Sequence, residues 1–362
     1  MEQKQKVTIA ALLLLLCIAA LLMLLHKQGR QTASEEETRN KHSPRVLRFG
    51  HNINENSAMH LAAKKFADLV AQRSHGRLEV QLFPNQALGN DHQMVEMARA
   101  GELDIVLTPT AKLSTLVPPM QYADLPFLFP SRQDAYALLD GEVGTLLLAK
   151  LPAYGLVGVT FWENGFKHFT ANKAIHRPED FRGLNIRVMK SPIIVEQFKA
   201  FHANPIPIDF HQTYQALHDG VVDGQENPLV AIYNMRLHEV QSHLILSRHA
   251  YLCYVLSFSK QVFEQLDGEL QKILVAAALE LTPFERQETM VREETYLEKI
   301  QSSGTRIIYL TPAERESFRA ATAHIIDDYR DIIGHDILEK TRQYLHAKYS
   351  APAPAADRQQ VN

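Results

Sequence analysis

Between residues 47 and 107 the spacing of apolar and polar positions changes period several times. Leu47-Arg48-Phe49-Gly50-His51-Asn52 reads as an opening strand. After it, Ala62, Phe66, Leu69 and Val70 fall on one helical face, and Gly76 stands where that helix should stop. Leu78, Val80 and Leu82 then alternate with Glu79 and Gln81, which predicts a strand. A second helical stretch over about 92–100 leads into an apolar strand over 103–107. Strand, helix, strand, helix, strand at this spacing means βαβ units, hence an α/β protein with a mainly parallel sheet.

The same arrangement returns downstream. Gly101-Glu102-Leu103-Asp104 and Gly220-Val221-Val222-Asp223 both follow a helical segment and both lead into a strand or turn, as two related α/β halves would require. Loops at the carboxyl ends of strands in such halves are where ligands collect. Asn227-Pro228 reads as a helix start, with Asn as N-cap, Pro at the first helical position and residues 229–233 continuing. The free N–H groups of such a start suit an anion. Beyond it the pattern predicts a strand over 251–256, a long helical region over about 268–303 and a strand over 305–310. Thr311-Pro312-Ala313-Glu314 then has capping-box spacing and opens a terminal helix.

The two ends differ from this middle. Lys4 and Lys6 precede an uncharged apolar run over 7–25, long enough to span a bilayer at ~20 residues, with Lys27 and Arg30 beyond it. No Ala-x-Ala site follows, and Leu16 before Cys17 spoils a lipoprotein signal, so the run is expected to be an uncleaved inner-membrane anchor rather than a cleaved signal peptide. Residues 26–45 read as a polar tether, and residues 349–362 as a low-complexity tail.

Composition narrows the chemistry mainly by exclusion. The chain has 362 residues, room for two cores, and a formal net charge of −3, which offers no general basic field for nucleic acid. Two cysteines, Cys17 and Cys253, cannot make a disulfide framework. Seventeen histidines form no His-Glu-x-x-His and no tight His/Cys cluster, and there is no Gly-x-Gly-x-x-Gly, Walker loop or Gly-x-Ser-x-Gly, so neither metal nor cofactor is expected.

What remains is a cation in a strand. In Gly183-Leu184-Asn185-Ile186-Arg187-Val188 the guanidinium of Arg187 presents a planar fork of donors that matches two carboxylate oxygens, which a lysine could not do. That segment, Val221-Val222-Asp223-Gly224-Gln225-Glu226-Asn227-Pro228 and the apolar block Leu125-Pro126-Phe127-Leu128-Phe129-Pro130 resemble the solute-binding subunit of tripartite ATP-independent periplasmic (TRAP) transporters, the dicarboxylate-binding DctP family. The resemblance runs from about residue 46 to about 345. It implies a two-lobed periplasmic binding protein fold (type II-like) with a cleft between lobes. One lobe would comprise residues 46–164 and 253–292, the other residues 165–252 and 293–348.

The same resemblance implies site residues. Arg187 would form a bidentate ion pair with the ligand carboxylate, and the Asn227 side chain would hydrogen-bond in the cleft. Lys167, in Glu163-Asn164-Gly165-Phe166-Lys167-His168, stands where related binders carry a second arginine or a lysine, and it could neutralise a second carboxylate. Phe210 matches an aromatic lining the cleft. Lys112, in Thr108-Pro109-Thr110-Ala111-Lys112, replaces an arginine of sialic-acid binders, and Pro109 replaces their glutamate, which argues against a large polyhydroxylated sugar acid. His51 and Asn52 are expected at the lip of the first lobe, and Trp162, the one tryptophan, as a wall. The function this implies is capture of a small carboxylate, a C4-dicarboxylate first and a sugar, keto or hydroxy acid second, and its delivery to the small and large membrane subunits, with no chemical step. A membrane-anchored carboxylate sensor and an enzyme acting in the same cleft are the rival readings.

Overall fold

The computed structural model describes residues 44–350; the apolar run, the tether and the tail beyond Ser350 lie outside them. Strands β1 (Arg45–His51), β2 (Leu78–Phe83) and β3 (Ile105–Pro109) form one side of the molecule, with β1 parallel to both neighbours. The helices between them start and stop as their residues dictate. Ser57 accepts from the His60 N–H at the head of the Ala58–Arg73 helix. Asn90 and Gln93 make a reciprocal capping box on the Asp91–Ala100 helix, and Gly101 closes it at φ 78°, where a side chain would be strained.

Two long strands carry the chain across the molecule. β4 (Leu156–Ala171) pairs antiparallel with β9 (Tyr251–Ser259) over its first part, and β9 pairs antiparallel with β3. After an irregularity between Glu163 and Gly165, β4 keeps β9 as partner through Phe166 and from Lys167 pairs instead with β7 (Gly224–Pro228) and then β8 (His243–Leu246). The second side is completed by β5 (Asn185–Val188), parallel to β7 and to β6 (Asn204–Pro207), and by β10 (Arg306–Tyr309), parallel to β8. The expected parallel pairing therefore holds for the outer strands, while the two crossing strands add antiparallel ladders.

The paired Gly-x-x-Asp segments do the same job in each half. The Asp104 carboxylate accepts from the Arg48 N–H of β1 at 2.7 Å, and that of Asp223 accepts from the Asn185 N–H of β5 at 2.7 Å. Each aspartate thus satisfies a donor on the neighbouring strand.

Three local expectations are corrected. Asn227 is not a helix cap: it lies within β7, and the Leu229–Asn234 helix starts one residue later, with Pro228 in extended backbone at its head. The segment after Thr311 is broken into four short helices, of which His335–Tyr349 is the last. That last helix, expected with the second lobe, instead packs on the first: Thr341 meets the Tyr122 hydroxyl at 2.8 Å. Tyr344, Lys348 and Tyr349 all donate to the buried Asp134 carboxylate.

Candidate functional site

Arg187 sits in the middle of β5, opposite Ile206 on one side and Gln225 on the other, and is completely buried. Its Nε donates to the Ile208 carbonyl at 3.0 Å, while neither terminal nitrogen has a hydrogen-bond partner among the described residues. Burial draws its pKa down to about 10, with Glu226, Asp209 and Asp91 pulling the other way, so it stays charged at any physiological pH. A buried guanidinium with its fork unengaged is expensive to hold unless an anion with two acceptor oxygens meets it.

Side chains alternate across a strand, so the register fixes what shares the face of Arg187. Gln225 stands opposite it, and Asn227 is two residues further along β7 on the same face. Asn227 Nδ2 donates to the Gln225 side-chain oxygen, and Gln225 Nε2 donates to Thr170 Oγ1 at 3.0 Å, so both amides are held in place.

Lys167 belongs to the opposite face. It pairs with Pro228, in step with Glu226 rather than Asn227. Its ammonium is fully buried 3.2 Å from Asp124 and 3.2 Å from Glu226, and Glu226 lies 3.4 Å from a His249 nitrogen. The expected cation for a second ligand carboxylate is therefore committed to two protein carboxylates. Burial pushes Asp124 up to about 6 against the pull of Lys167, and draws the His249 imidazole, stacked on Phe169, down to about 4.

The first lobe supplies a polar wall facing Arg187. Trp162 and Tyr254 are register partners on β4 and β9, both buried, and the Tyr254 hydroxyl donates to Asn52 Oδ1 at 3.2 Å. The Trp162 indole N–H and the Asn164 side-chain oxygen have no partner among the described residues. His51 is less available: its Nε2 lies 3.1 Å from His60 Nδ1, and burial pulls its pKa to about 3, so it is neutral.

Lys112 and Phe210 mark the seam between the lobes. The Lys112 ammonium reaches Asp209 of the second lobe at 3.5 Å. Phe210 lines a small cavity with Ile53 and Ser57 of the first lobe and Val230 of the second. Beside it, a cavity of about 350 Å³ has Asn90, Lys112 and Thr115 on one wall and Ile208, Asp209 and Gln212 on the other. A larger groove of about 780 Å³ runs along the terminal helix past Leu128, Leu338 and Leu345, and contains none of these groups.

Two acids escaped the sequence reading, as did Tyr254. Asp91 is buried beside the Asn52 side chain and faces Lys112, Asp209 and Arg187. In sequence it is indistinguishable from the acids that commonly open helices. Asp209 stands next to Phe210, and its role as the seam partner of Lys112 depends on two segments about a hundred residues apart.

The family described as bacterial extracellular solute-binding protein, family 7 (DctP), matches residues 49–331. The chain belongs to this family. It is 35% identical over 283 residues to the 2,3-diketo-L-gulonate-binding periplasmic protein YiaO of Escherichia coli K12, covering 78% of this chain and 86% of that protein. It is 32% identical over 297 residues to the C4-dicarboxylate-binding protein DctB of Bacillus subtilis, covering 82% and 85%. Among solved structures, the galactonate complex of the sugar acid binding protein DctPAm of Advenella mimigardefordensis superposes with a TM-score of 0.80 at 35% identity, covering 83% of this chain and 97% of that one. A TRAP periplasmic solute-binding protein of Sulfurospirillum deleyianum with bound succinate gives 0.79 at 35%, covering 83% and 99%. The chain is thus a TRAP-type solute-binding protein with the two-lobed fold, in a family of periplasmic binders rather than of enzymes.

Proposed function

We propose that this protein closes its lobes on one small carboxylate, clamps that group with Arg187, and hands the solute to the small and large membrane subunits of a TRAP transporter. The observation that carries this reading is the buried Arg187 fork with both terminal nitrogens unpartnered, on one sheet face with Gln225 and Asn227. A C4-dicarboxylate, the class named for the Bacillus relative, would find the cation for its second carboxylate in Lys112, since Lys167 is occupied elsewhere. A sugar acid, the class named for the Advenella protein, is favoured by the polar wall of Asn52, Asp91 and Tyr254.

Calorimetric titration of Arg187→Lys tests the clamp. Replacing a bidentate fork by a point charge at a buried site should weaken the best-binding acid by ~2–5 kcal/mol, roughly 30-fold to several thousand-fold. Affinity within threefold of the parent would remove Arg187 from the role. The apolar run at residues 7–25 further supports a tether to the inner membrane, checked by whether the full-length chain fractionates with membranes and retains its first residues.

A further inference from the structure

Where the chain passes from one lobe to the other, a carboxyl group stands with too few cations around it. β4 keeps β9 as partner through Phe166 and takes β7 from Lys167, which makes Gly165, at φ 117°, the place where the lobes can turn. The Gly268–Ser302 helix crosses beside that pivot. On the first-lobe side its Thr282 meets the Thr160 hydroxyl at 2.9 Å and its Arg286 holds Asp140 with both terminal nitrogens. On the second-lobe side its Tyr296 stacks on Tyr233 with ring centroids 4.4 Å apart. Glu293 lies between these two anchorages. Its Oε1 occupies the place a Cβ on Gly165 would take, and that oxygen is buried with no hydrogen-bond partner among the described residues.

Positive charge is scarce at this point. Arg132, at the head of the Arg132–Asp140 helix, donates its Nε to Glu163 at 2.6 Å and a terminal nitrogen to Glu293 Oε2, so one guanidinium serves two carboxyl groups. Tyr136 of the same helix donates to the other Glu163 oxygen. The other cation facing Glu293 is Arg248, from the loop before β9, and its guanidinium lies over the Phe166 ring at 4.2 Å. Burial outweighs the pull of Arg132 and, with Glu163 adding to it, pushes Glu293 up to about 7. Glu285 differs in kind: it accepts from the Glu163 N–H and from Thr289, both fixed to the first lobe, so its proton follows folding rather than closure.

We propose that Glu293 is a proton-linked positioning residue at this pivot: closing the lobes on a carboxylate takes up a proton there, and the protein loosens its hold on the solute as pH rises. The inference rests on the reading of this protein as a binder that closes on a carboxylate. Turning about Gly165 shifts the second-lobe end of the long helix against Arg132 and Glu163 and lets water reach Glu293, whose proton affinity then falls toward that of an ordinary glutamic acid. The closed form holds the proton and the open form gives it up. The added affinity is therefore complete below the ordinary value of 4.5 and is lost as pH rises through about 7.

The test is calorimetric titration of the full-length parent, Glu293→Gln and Arg187→Ala with succinate, D-galactonate and D-erythronate at pH 5.5, 6.5 and 8, each in two buffers of different ionisation heat. The variant at Glu293 presents the same cleft to the same acid, so ionisation of cleft groups or of the ligand cancels in the comparison. For the best-binding acid, the fall in affinity from pH 5.5 to pH 8 should be roughly tenfold greater in the parent than in Glu293→Gln, and at pH 6.5 the parent should take up about half a proton or more per ligand that the variant does not. Equal pH dependence in the two proteins would overturn the inference. So would a parent whose binding heat at pH 6.5 is the same in both buffers, a comparison that needs no variant and decides the matter if Glu293→Gln fails to fold. Arg187→Ala separates the two levels: if it binds the acids like the parent, or if the parent binds none of the three, the carboxylate reading falls and the proton link with it. If it loses them while the parent and Glu293→Gln respond alike to pH, the clamp stands and the proton link alone is overturned.

Discussion

At the scale of single residues, Lys167 shows how a change of face changes a function. A lysine twenty residues before the clamp arginine reads in sequence as a second cation for ligand, yet β4 and β7 pair so that its side chain leaves on the far side of the sheet, between Asp124 and Glu226. Its contribution is then to stability. Lys167→Met would leave two buried carboxylates without their cation, which costs on the order of 3–5 kcal/mol, and urea denaturation should show that loss with little change in which acids bind best. A variant as stable as the parent but altered in ligand preference would return Lys167 to the binding site. Arg187 was legible because its chemistry is local: the strand, the fork and the flanking segment all lie within a few residues. Lys167 and Asp91 were not, since a strand's face depends on a register set by a partner about sixty residues away, and burial of a helix-opening acid depends on the other lobe closing over it.

At the scale of elements, the crossing strand β4 and the Gly268–Ser302 helix meet at a cluster of acids. The Glu163 N–H donates to Glu285 at 2.8 Å, Glu285 also accepts from Thr289, and Arg132 bridges Glu163 to Glu293. Glu293 lies against Gly165, whose φ of 117° would strain any side chain, just before β4 exchanges β9 for β7. Periodicity could not reveal that crossing, because one continuous strand, Leu156–Ala171, runs through it and only its pairing partners change. The cluster has a measurable consequence. Burial raises Glu285 to about 8, above its ordinary 4.5, so the folded protein holds a proton there that the unfolded chain gives up. Stability from this group is complete below pH 4.5 and declines as pH rises toward 8. Glu285→Gln removes the titration, and its stability relative to the parent should increase by on the order of 1 kcal/mol per pH unit across that window. Denaturant midpoints of the two proteins that differ equally at pH 5 and pH 8 would show that Glu285 is ionised in the fold.

At the scale of the whole molecule, the site belongs to neither half. Arg187, Asn227 and Asp209 come from the second sheet and its loops, Asp91, Lys112 and Tyr254 from the first, and the Lys112 to Asp209 contact spans the seam. A ligand that bridges these groups therefore binds the closed arrangement and not the unfolded chain, so it must stabilise the protein by mass action. At a hundred times its dissociation constant the gain is about 2.7 kcal/mol, and it should appear in both halves at once, because β4 and the long helix run through them. The seam ion pair should contribute far less. Asp209 is 46% exposed at its side chain, and pairs of that kind are worth ~0–1 kcal/mol. Thermal unfolding with and without saturating acid should accordingly shift as one transition in the parent and in Asp209→Asn, and not at all in Arg187→Ala. A ligand-induced shift confined to one of two separable transitions would mean that the acid touches a single lobe, and that closure is not how this protein holds it.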